Sequence, residues 1–486
     1  MRIDPDRVIP WVCFAAIEAR LVAIALKFPP ADGDRFWQRW LGERILHEHA
    51  IPRSLGAETF AAAGAPWTPH EWLFSLALAL GVDRGIPWAV PLACAILTGV
   101  ALALVIVRSQ RRGVSPVLSS AAVLLCGLAL MQSYGVRAQV VGWAGVAVVL
   151  TLLEREDRWS WLVVPVTLVW ANLHASVFLA PAIVLLFGIA AVLQDRRWSR
   201  AVSLYASVFA CAAAATLATP LGADLLRYAV GLTTSPIRHL IAEWGATSVD
   251  SASFTLGALP LLLILAAFGV RASARDRILA IAFSVLLFGA VRNVPVFALA
   301  TAPIALAALP VSRGREKDRS RVERGVAWST VGAAAAVAVV VAVLSWRGAP
   351  IAAQTLPVGP AQTLLAEART TPRVFCEDFA WCSLFLADSR PAAFFMDGRC
   401  DPYPAAIWTK YLRVLNGNTG WNDVLEAYHV NAVLVRRDSA LDSLLSEAPN
   451  EWRSIGADTH ARLYVRPALI ATSPPRSRSD AADAPL

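Results

Sequence analysis

FPPADGDRFWQRWLGERILHEHAIPR (residues 28–53), closed by GAPWTPHEW (64–72), is the stretch on which the reading of this chain turns. It is a long polar, aromatic-rich insert between hydrophobic runs. It carries two acids two apart, Asp32 and Asp34, then Phe36, Trp37 and Trp40. Glu43, His47, Glu48, His49, Trp67, His70, Glu71 and Trp72 follow. A corner between two apolar segments needs none of this chemistry. Long loops in compact domains are either functional or disordered, and this one is too aromatic to be disordered.

Working outward, the chain is oily. It has 486 residues, of which 57% are hydrophobic and 16% charged, and a mean hydropathy of +0.53. Soluble domains carry about 25% charged residues, so the expectation is a multi-pass membrane protein. The positive charge behind the formal +8 is nearly all arginine, and the basic residues in short connections between apolar runs argue for a membrane and against nucleic acid.

A spanning helix needs about 20 mostly apolar residues. Eleven runs are expected to cross, near 8–27, 86–107, 117–133, 138–153, 159–173, 176–193, 201–218, 253–270, 277–291, 294–310 and 326–346. Residues 71–82 are too short for a twelfth, and lie along the interface or extend the next helix. Every second connection is basic: RSQRRG (108–113), EREDR (154–158), QDRRWSR (194–200), RASARDR (271–277) and SRGREKDRSRVER (312–324). By the positive-inside rule this puts the N-terminus in the cytoplasm and everything after residue 346 outside. The basic runs on the cytoplasmic side read as ordinary charge runs.

Composition changes after residue 346. Residues 347–470 alternate strand-like and helix-like runs and are expected to form a small extracytoplasmic α/β domain; 471–486 (ATSPPRSRSDAADAPL) read as a disordered tail. The transmembrane domain is then 1–346, with its large first outer loop at 28–85. Of the cysteines, Cys376, Cys382 and Cys400 fall in the polar region; one disulfide with one thiol left over is compatible with the sequence, and the pairing is not readable. Asp397, Arg399 and Asp401 read as a structural turn with an internal ion pair.

The remaining polar residues gather on one side. Arg137 and Gln139 lie between the third and fourth spans, and Asn172 and His174 between the fifth and sixth. Arg238, Glu243 and Trp244 lie in the long connection 219–252, and Arg292 and Asn293 before the tenth span. The first loop, with its aspartates and with His70 and Glu71, faces the same way. Carboxylates serve as general base or hold a divalent cation. Arginines hold phosphate. That set suits group transfer from a lipid-phosphate carrier.

The motifs resemble those of the C-type (GT-C) superfamily of membrane glycosyltransferases, in a bacterial branch with a C-terminal outer domain. DGDRFWQRWLGERIL is similar to that branch's D-x-D-x-W-W-H-x-x-x-G-x-x-I-L, followed by HEW at 70–72. YGVRAQ (134–139) resembles an R-P-Q turn, WANLHAS (170–176) an N-L-H-G turn, and ATPLG (218–222) an N-P-Y-G turn. IAEW (241–244) matches I-x-E-W, and VRNVPVFALA (291–300) resembles R-N-x-P-x-F-A. EDFAW (377–381) and FMDGRCDPY (395–403) resemble the outer domain's D-Y-x-W and I-D-G-R-x-D-x-Y. The chain departs from the pattern at Gln38, where the branch has histidine, at Ala138 and at Thr219.

The resemblance implies an α-helical polytopic GT-C-like fold of about eleven transmembrane helices with a small C-terminal α/β domain. It implies transfer of a sugar from a polyprenyl-phosphate-linked donor to a glycan, lipid or protein acceptor on the outer face of a bacterial cytoplasmic membrane. Asp32 or Asp34 would assist an inverting displacement or hold a divalent metal. Arg137, Gln139, Asn172, His174, Arg238, Glu243, Trp244, Arg292, Asn293, His70 and Glu71 would bind substrate. The alternative is a non-catalytic GT-C-like scaffold or lipid-head-binding protein of the envelope.

Overall fold

The structure, a computed structural model, describes residues 5–27, 33–195, 198–310, 321–347, 356–386 and 392–470. Asp32, the tail 471–486 and most of the basic run 312–324 lie outside these residues. The chain divides into two compact units. One is Met1–Arg53 with Thr68–Ala352, and the other is Ser54–Trp67 with Ala353–Leu486.

The first unit is a helical bundle. Its helices are α1 (Ile9–Lys27), α2 (Asp34–Glu48), α3 (Trp72–Asp83), α4 (Ala89–Arg111), α5 (Pro116–Leu130), α6 (Gln139–Leu153) and α7 (Val163–Leu173). Then come α8 (Leu179–Asp195), α9 (Arg200–Thr216), α10 (Ala223–Thr234), α11 (Leu259–Phe268), α12 (Ala274–Gly289), α13 (Val294–Ala308) and α14 (Arg321–Arg347). Each of the eleven expected runs holds one of these helices. Among the described residues, five helical segments are long and apolar enough to cross a membrane: Pro5–Lys27, Ala89–Arg111, Ala175–Asp195, Ser253–Arg271 and Val291–Ala308. Five more apolar helices are shorter: Trp72–Asp83, Pro116–Leu130, Gln139–Leu153, Arg200–Thr216 and Val331–Arg347. The 71–82 run is thus a helix of its own, α3, packed against α2. The most enclosed helix is α13, buried along nearly its whole length among α4, α5, α6, α11 and α12.

At one end of the bundle the charges tie helices together. Arg108, fully buried within α4, donates to Glu154 Oε1 from Nε (3.0 Å) and Nη2 (2.8 Å). Arg112 donates to the same oxygen (2.9 Å) and to Asp276 Oδ2 at the start of α12 (2.7 Å). Arg275 pairs with Glu156. Proline at 303 lacks the N–H that would bond the carbonyl four residues back. That carbonyl belongs to Leu299, and Arg108 Nη1 donates to it at 2.9 Å, while Nη2 reaches Ala300 O at 3.1 Å. Arg108 therefore stands in for the donor that α13 lost. These charges belong to a buried network and not to ordinary loop runs.

The second unit is built on a five-stranded sheet. Its elements are α15 (Val358–Glu367), β1 (Arg373–Cys376), α16 (Phe379–Cys382), β2 (Ala393–Phe394), α17 (Ala405–Leu415), α18 (Trp421–Ala427), β3 (Ala432–Arg436), α19 (Ala440–Ser446), β4 (Arg453–Ala457) and β5 (Ala461–Val465). The strand order is β2-β1-β3-β5-β4, parallel from β2 to β3 and antiparallel from β3 to β4. β1, β3 and β5 are buried along nearly their whole length, and β4, with a bulge between Ser454 and Gly456, is the exposed edge that the sequence hid.

Residues 54–67 of the first loop belong to this unit. Phe60 N donates to Phe394 O (3.2 Å) and Phe394 N to Glu58 O (2.8 Å), so the segment lies beside β2. Beneath it Arg399 is buried, donating to Asp397 Oδ2 (2.9 Å) and Glu58 Oε1 (3.1 Å) with its guanidinium over Trp67 (4.9 Å). Tyr403 donates to Asp397 Oδ1 (2.9 Å). Cys376 and Cys382 form the disulfide, and Cys400 is buried outside that bridge.

Candidate active site

The other end of the bundle holds most of the polar side chains singled out above. Its geometry starts from a glycine. A Cβ on Gly42 of α2 would lie 2.0 Å from the Ser75 carbonyl oxygen of α3, so the two helices meet backbone to backbone. One turn before Gly42 stands Gln38, 2% exposed, and one turn before Ser75 stands Glu71. Gln38 Nε2 donates to Glu71 Oε2.

The other oxygen of Glu71 faces two histidines. His174 Nε2 lies 3.6 Å from Glu71 Oε1 and His70 Nδ1 3.8 Å from it. His174 occupies an extended residue where α7 ends. Its Nδ1 accepts from the Ser176 backbone N–H (3.1 Å) and lies 2.7 Å from Ser176 Oγ. Trp170 Nε1 donates to that hydroxyl at 3.1 Å. Two glycines of α6 make room: a Cβ on Gly145 would come within 2.5 Å of the Trp170 ring, and one on Gly142 within 2.5 Å of Ser176 Oγ. A chain of contacts thus runs from Trp170 through Ser176, His174 and Glu71 to Gln38.

His70 packs edge-on to His174 (5.6 Å between centroids) and against the Tyr228 ring (4.6 Å). Burial pushes the His70 imidazole down to about 3, with the positive Arg292 adding to the effect. Burial also holds His174 well below the usual range, reinforced by His70 and Arg292. Both rings are neutral at pH 7, and neutral imidazole is the form that binds metal or hydrogen-bonds substrate.

Asp34 is the first residue of α2, where the helix dipole favours an acid. Trp37 Nε1 donates to its Oδ1 (3.0 Å), and Arg137 Nη2 lies 3.5 Å from Oδ2. Arg137 also pairs with Glu243. Next to Glu243, Trp244 carries the Arg292 guanidinium over its ring at 5.8 Å, and Val291 N donates to Gly245 O (2.9 Å). Arg238 caps the same corner through Thr233 O (3.2 Å) and Gly289 O (2.5 Å), and Asn293 Nδ2 bonds Leu286 O (2.8 Å).

Between these groups opens a cavity of about 410 Å³. His70, His174, Ser176, Tyr228, Arg238, Trp244, Arg292 and Asn293 line it, with Phe178, Leu179, Leu232 and Leu286 as an apolar wall. Asp34, Arg137, Glu243 and Glu71 adjoin through the ion pairs above. Two expected residues stand apart from the cavity. The Asn172 amide donates to Leu168 O (2.9 Å) and Ala218 O (3.1 Å), pinning the turn between helices. Gln139 is buried at the start of α6. Ser176, Tyr228 and Trp170 were not read from the sequence as site residues. The small pair Gly142 and Gly145 was the one signal that something bulky must press on α6.

Among the described residues, His70, Glu71 and His174 offer ligand atoms all within 4.8 Å of one another, a set compatible with a divalent metal. Two imidazoles and a carboxylate suit zinc-like ions better than magnesium. His70 Nδ1 is buried and makes no hydrogen bond among the described residues, so the cluster has a donor atom to spare for an ion or a substrate.

No family model matches this sequence, and no curated protein matches it. Solved structures do. The archaeal oligosaccharyltransferase AglB from Archaeoglobus fulgidus, in complex with an inhibitory peptide and a dolichol-phosphate, superposes with a TM-score of 0.60 at 13% identity, over 94% of this chain and 74% of that one. The Archaeoglobus fulgidus oligosaccharyltransferase in complex with Zn and sulfate gives 0.57 at 12% identity, over 93% and 73%. ArnT from Cupriavidus metallidurans in the apo state gives 0.53 at 13% identity, over 95% and 99%. The fold is shared with the Archaeoglobus fulgidus oligosaccharyltransferase and with ArnT, and the helices long and apolar enough to cross a membrane make the chain a multi-pass membrane protein.

Proposed function

We propose that this protein transfers a sugar from a polyprenyl-phosphate-linked donor to an acceptor hydroxyl or amine at the outer face of a bacterial cytoplasmic membrane. The observation that carries the reading is the cavity itself. An apolar wall and two arginines, Arg238 and Arg292, share one chamber with a neutral histidine pair. Such a chamber suits a ligand that is greasy at one end and anionic at the other. The dolichol-phosphate in the AglB complex supports a lipid phosphate as that ligand. The Cys376–Cys382 bridge supports an oxidising compartment around the α/β unit, hence a cytoplasmic N-terminus and an extracytoplasmic domain of about 347–470.

In this reading the arginines hold the donor phosphate. The acceptor oxygen or nitrogen attacks the anomeric carbon from the opposite face. The bond from that carbon to the phosphate oxygen breaks, and the electron pair leaves with the lipid phosphate. The acceptor's proton passes to Asp34, whose carboxylate is oriented by Trp37 and Arg137. A divalent ion held by the His70–Glu71 cluster would supply charge neutralisation at the phosphate. Gln139 and Asn172 act here as supports of their turns.

Asp34→Asn keeps the shape and removes the base. In proteoliposomes given a polyprenyl-phosphate sugar, transfer should fall by roughly a hundredfold or more, the upper range for a lost general base. Turnover equal to the parent protein would remove Asp34 from the mechanism. Absence of turnover in the parent, with tight lipid-phosphate binding retained, would favour a lipid-head-binding scaffold.

A further inference from the structure

We infer that His174 turns a protonated Nε2 toward Glu71 and is not a metal ligand, so that any divalent ion at this cluster is held by His70 and Glu71. The inference rests on the cluster being the working centre of the cavity and adds to it a division of labour between its two histidines.

The argument is one of proton bookkeeping on a neutral ring. A neutral imidazole has one N–H and one lone pair. His174 Nδ1 faces the backbone N–H of Ser176 at 3.1 Å, a group that can only donate. Nδ1 must therefore be the acceptor. With Nδ1 unprotonated, the Ser176 hydroxyl 2.7 Å away shares that lone pair with the amide as a bifurcated second donor, while its oxygen accepts from Trp170 Nε1 at 3.1 Å. The ring's single proton is then on Nε2. The atom 3.6 Å beyond is Glu71 Oε1, an acceptor. A metal on Nε2 would need the proton moved to Nδ1, where it would meet the Ser176 amide hydrogen. Histidines that do bind metals usually donate their second N–H to a carboxylate, carbonyl or water. His174 has the reverse arrangement.

His70 is the complement. Its Nδ1 is buried, makes no hydrogen bond among the described residues, and lies 3.8 Å from the same Glu71 oxygen. The carboxylate is held on its other side by Gln38 and keeps its charge directed at that gap. Gln38 and His174 are thus positioning residues for Glu71, one on each oxygen.

The test uses the full chain in detergent, labelled with ¹⁵N-histidine, with His174→Gln identifying the His174 signals. Long-range ¹H–¹⁵N correlation should show His174 with a proton on Nε2 and an acceptor Nδ1. Added zinc chloride should shift His70 and leave the His174 pattern in place. A His174 ring protonated on Nδ1, or a zinc-shifted Nε2, overturns the inference. If zinc fails to bind, the tautomer alone decides it. By isothermal titration, His174→Gln, which keeps an N–H donor, should weaken zinc binding by no more than roughly 10–100-fold, the range for an outer partner. His70→Gln should abolish it. Equal loss in both variants would make His174 a ligand. None of these readouts depends on sugar transfer, so they fail independently of that reading.

Discussion

The same helices carry two different kinds of polar end. At one end Arg108, Arg112, Glu154 and Asp276 bind each other, and Arg108 also donates to Ala300 O and to the Leu299 carbonyl that Pro303 leaves without its helical donor. At the other end Arg238, Arg292, His70 and His174 line a cavity of about 410 Å³, and His70 Nδ1 makes no hydrogen bond among the described residues. Both ends bring charged groups into an oily bundle, at comparable desolvation cost. Where the charges answer each other, they build the scaffold. Where a cavity remains between them, the reading proposed above seats a lipid phosphate.

That contrast can be broken most forcefully at the closed end. Arg108→Met should destabilise the bundle by about 3–5 kcal/mol, because it leaves Glu154 short of a partner and the Leu299 carbonyl without a donor. Thermal unfolding in detergent measures it; a change under about 1 kcal/mol would mean the network is incidental.

The open end should respond to pH instead. A histidine whose folded pKa lies below its unfolded value of about 6.5 takes up its proton on unfolding. Its contribution to stability is complete above about pH 6.5 and is lost as pH falls from there towards about 3, the value for His70. Melting temperature should therefore decline with acidification, and His70→Gln with His174→Gln should flatten the decline. An unchanged slope in the double variant would place the titrating groups elsewhere.

The smallest effect on folding is expected from Arg292→Gln. Its stacking on Trp244 is worth about 0.5–1 kcal/mol. Affinity for a polyprenyl phosphate should nevertheless drop about tenfold to a hundredfold, the worth of one charged hydrogen bond. Normal lipid binding with a collapsed melting temperature would reverse the assignment of the two ends.

Much of the open end was legible in the sequence, because turns between apolar runs advertise their polar residues. Sidedness put His70, Glu71, His174, Arg238, Trp244, Arg292 and Asn293 on one face, the motif resemblance implied a substrate-binding role for them, and the cavity that all but Glu71 line is what the structure adds. Trp170 and Ser176 were hidden because an indole within an apolar run reads as lipid-facing or core. Only the glycines opposite reveal that its N–H is used. The closed end was misread for a related reason. RSQRRG looks like any basic connection, and nothing local shows that its first arginine lies inside α4 beside a proline-broken ladder almost two hundred residues on. Residues 54–67 were assigned to a loop because fourteen residues with no periodicity give no sign of a sheet edge that the chain supplies only at Phe394.

That last separation bears on how the molecule is made. Leu55, Phe60 and Trp67 leave the ribosome long before β1, β2 or Arg399 exist, and most of the bundle is synthesised in between. Glu58 meanwhile has no arginine to meet. A nascent or C-terminally shortened chain therefore displays an adhesive, half-built seam through most of translation. The seam closes only once Phe394 and Arg399 have been made.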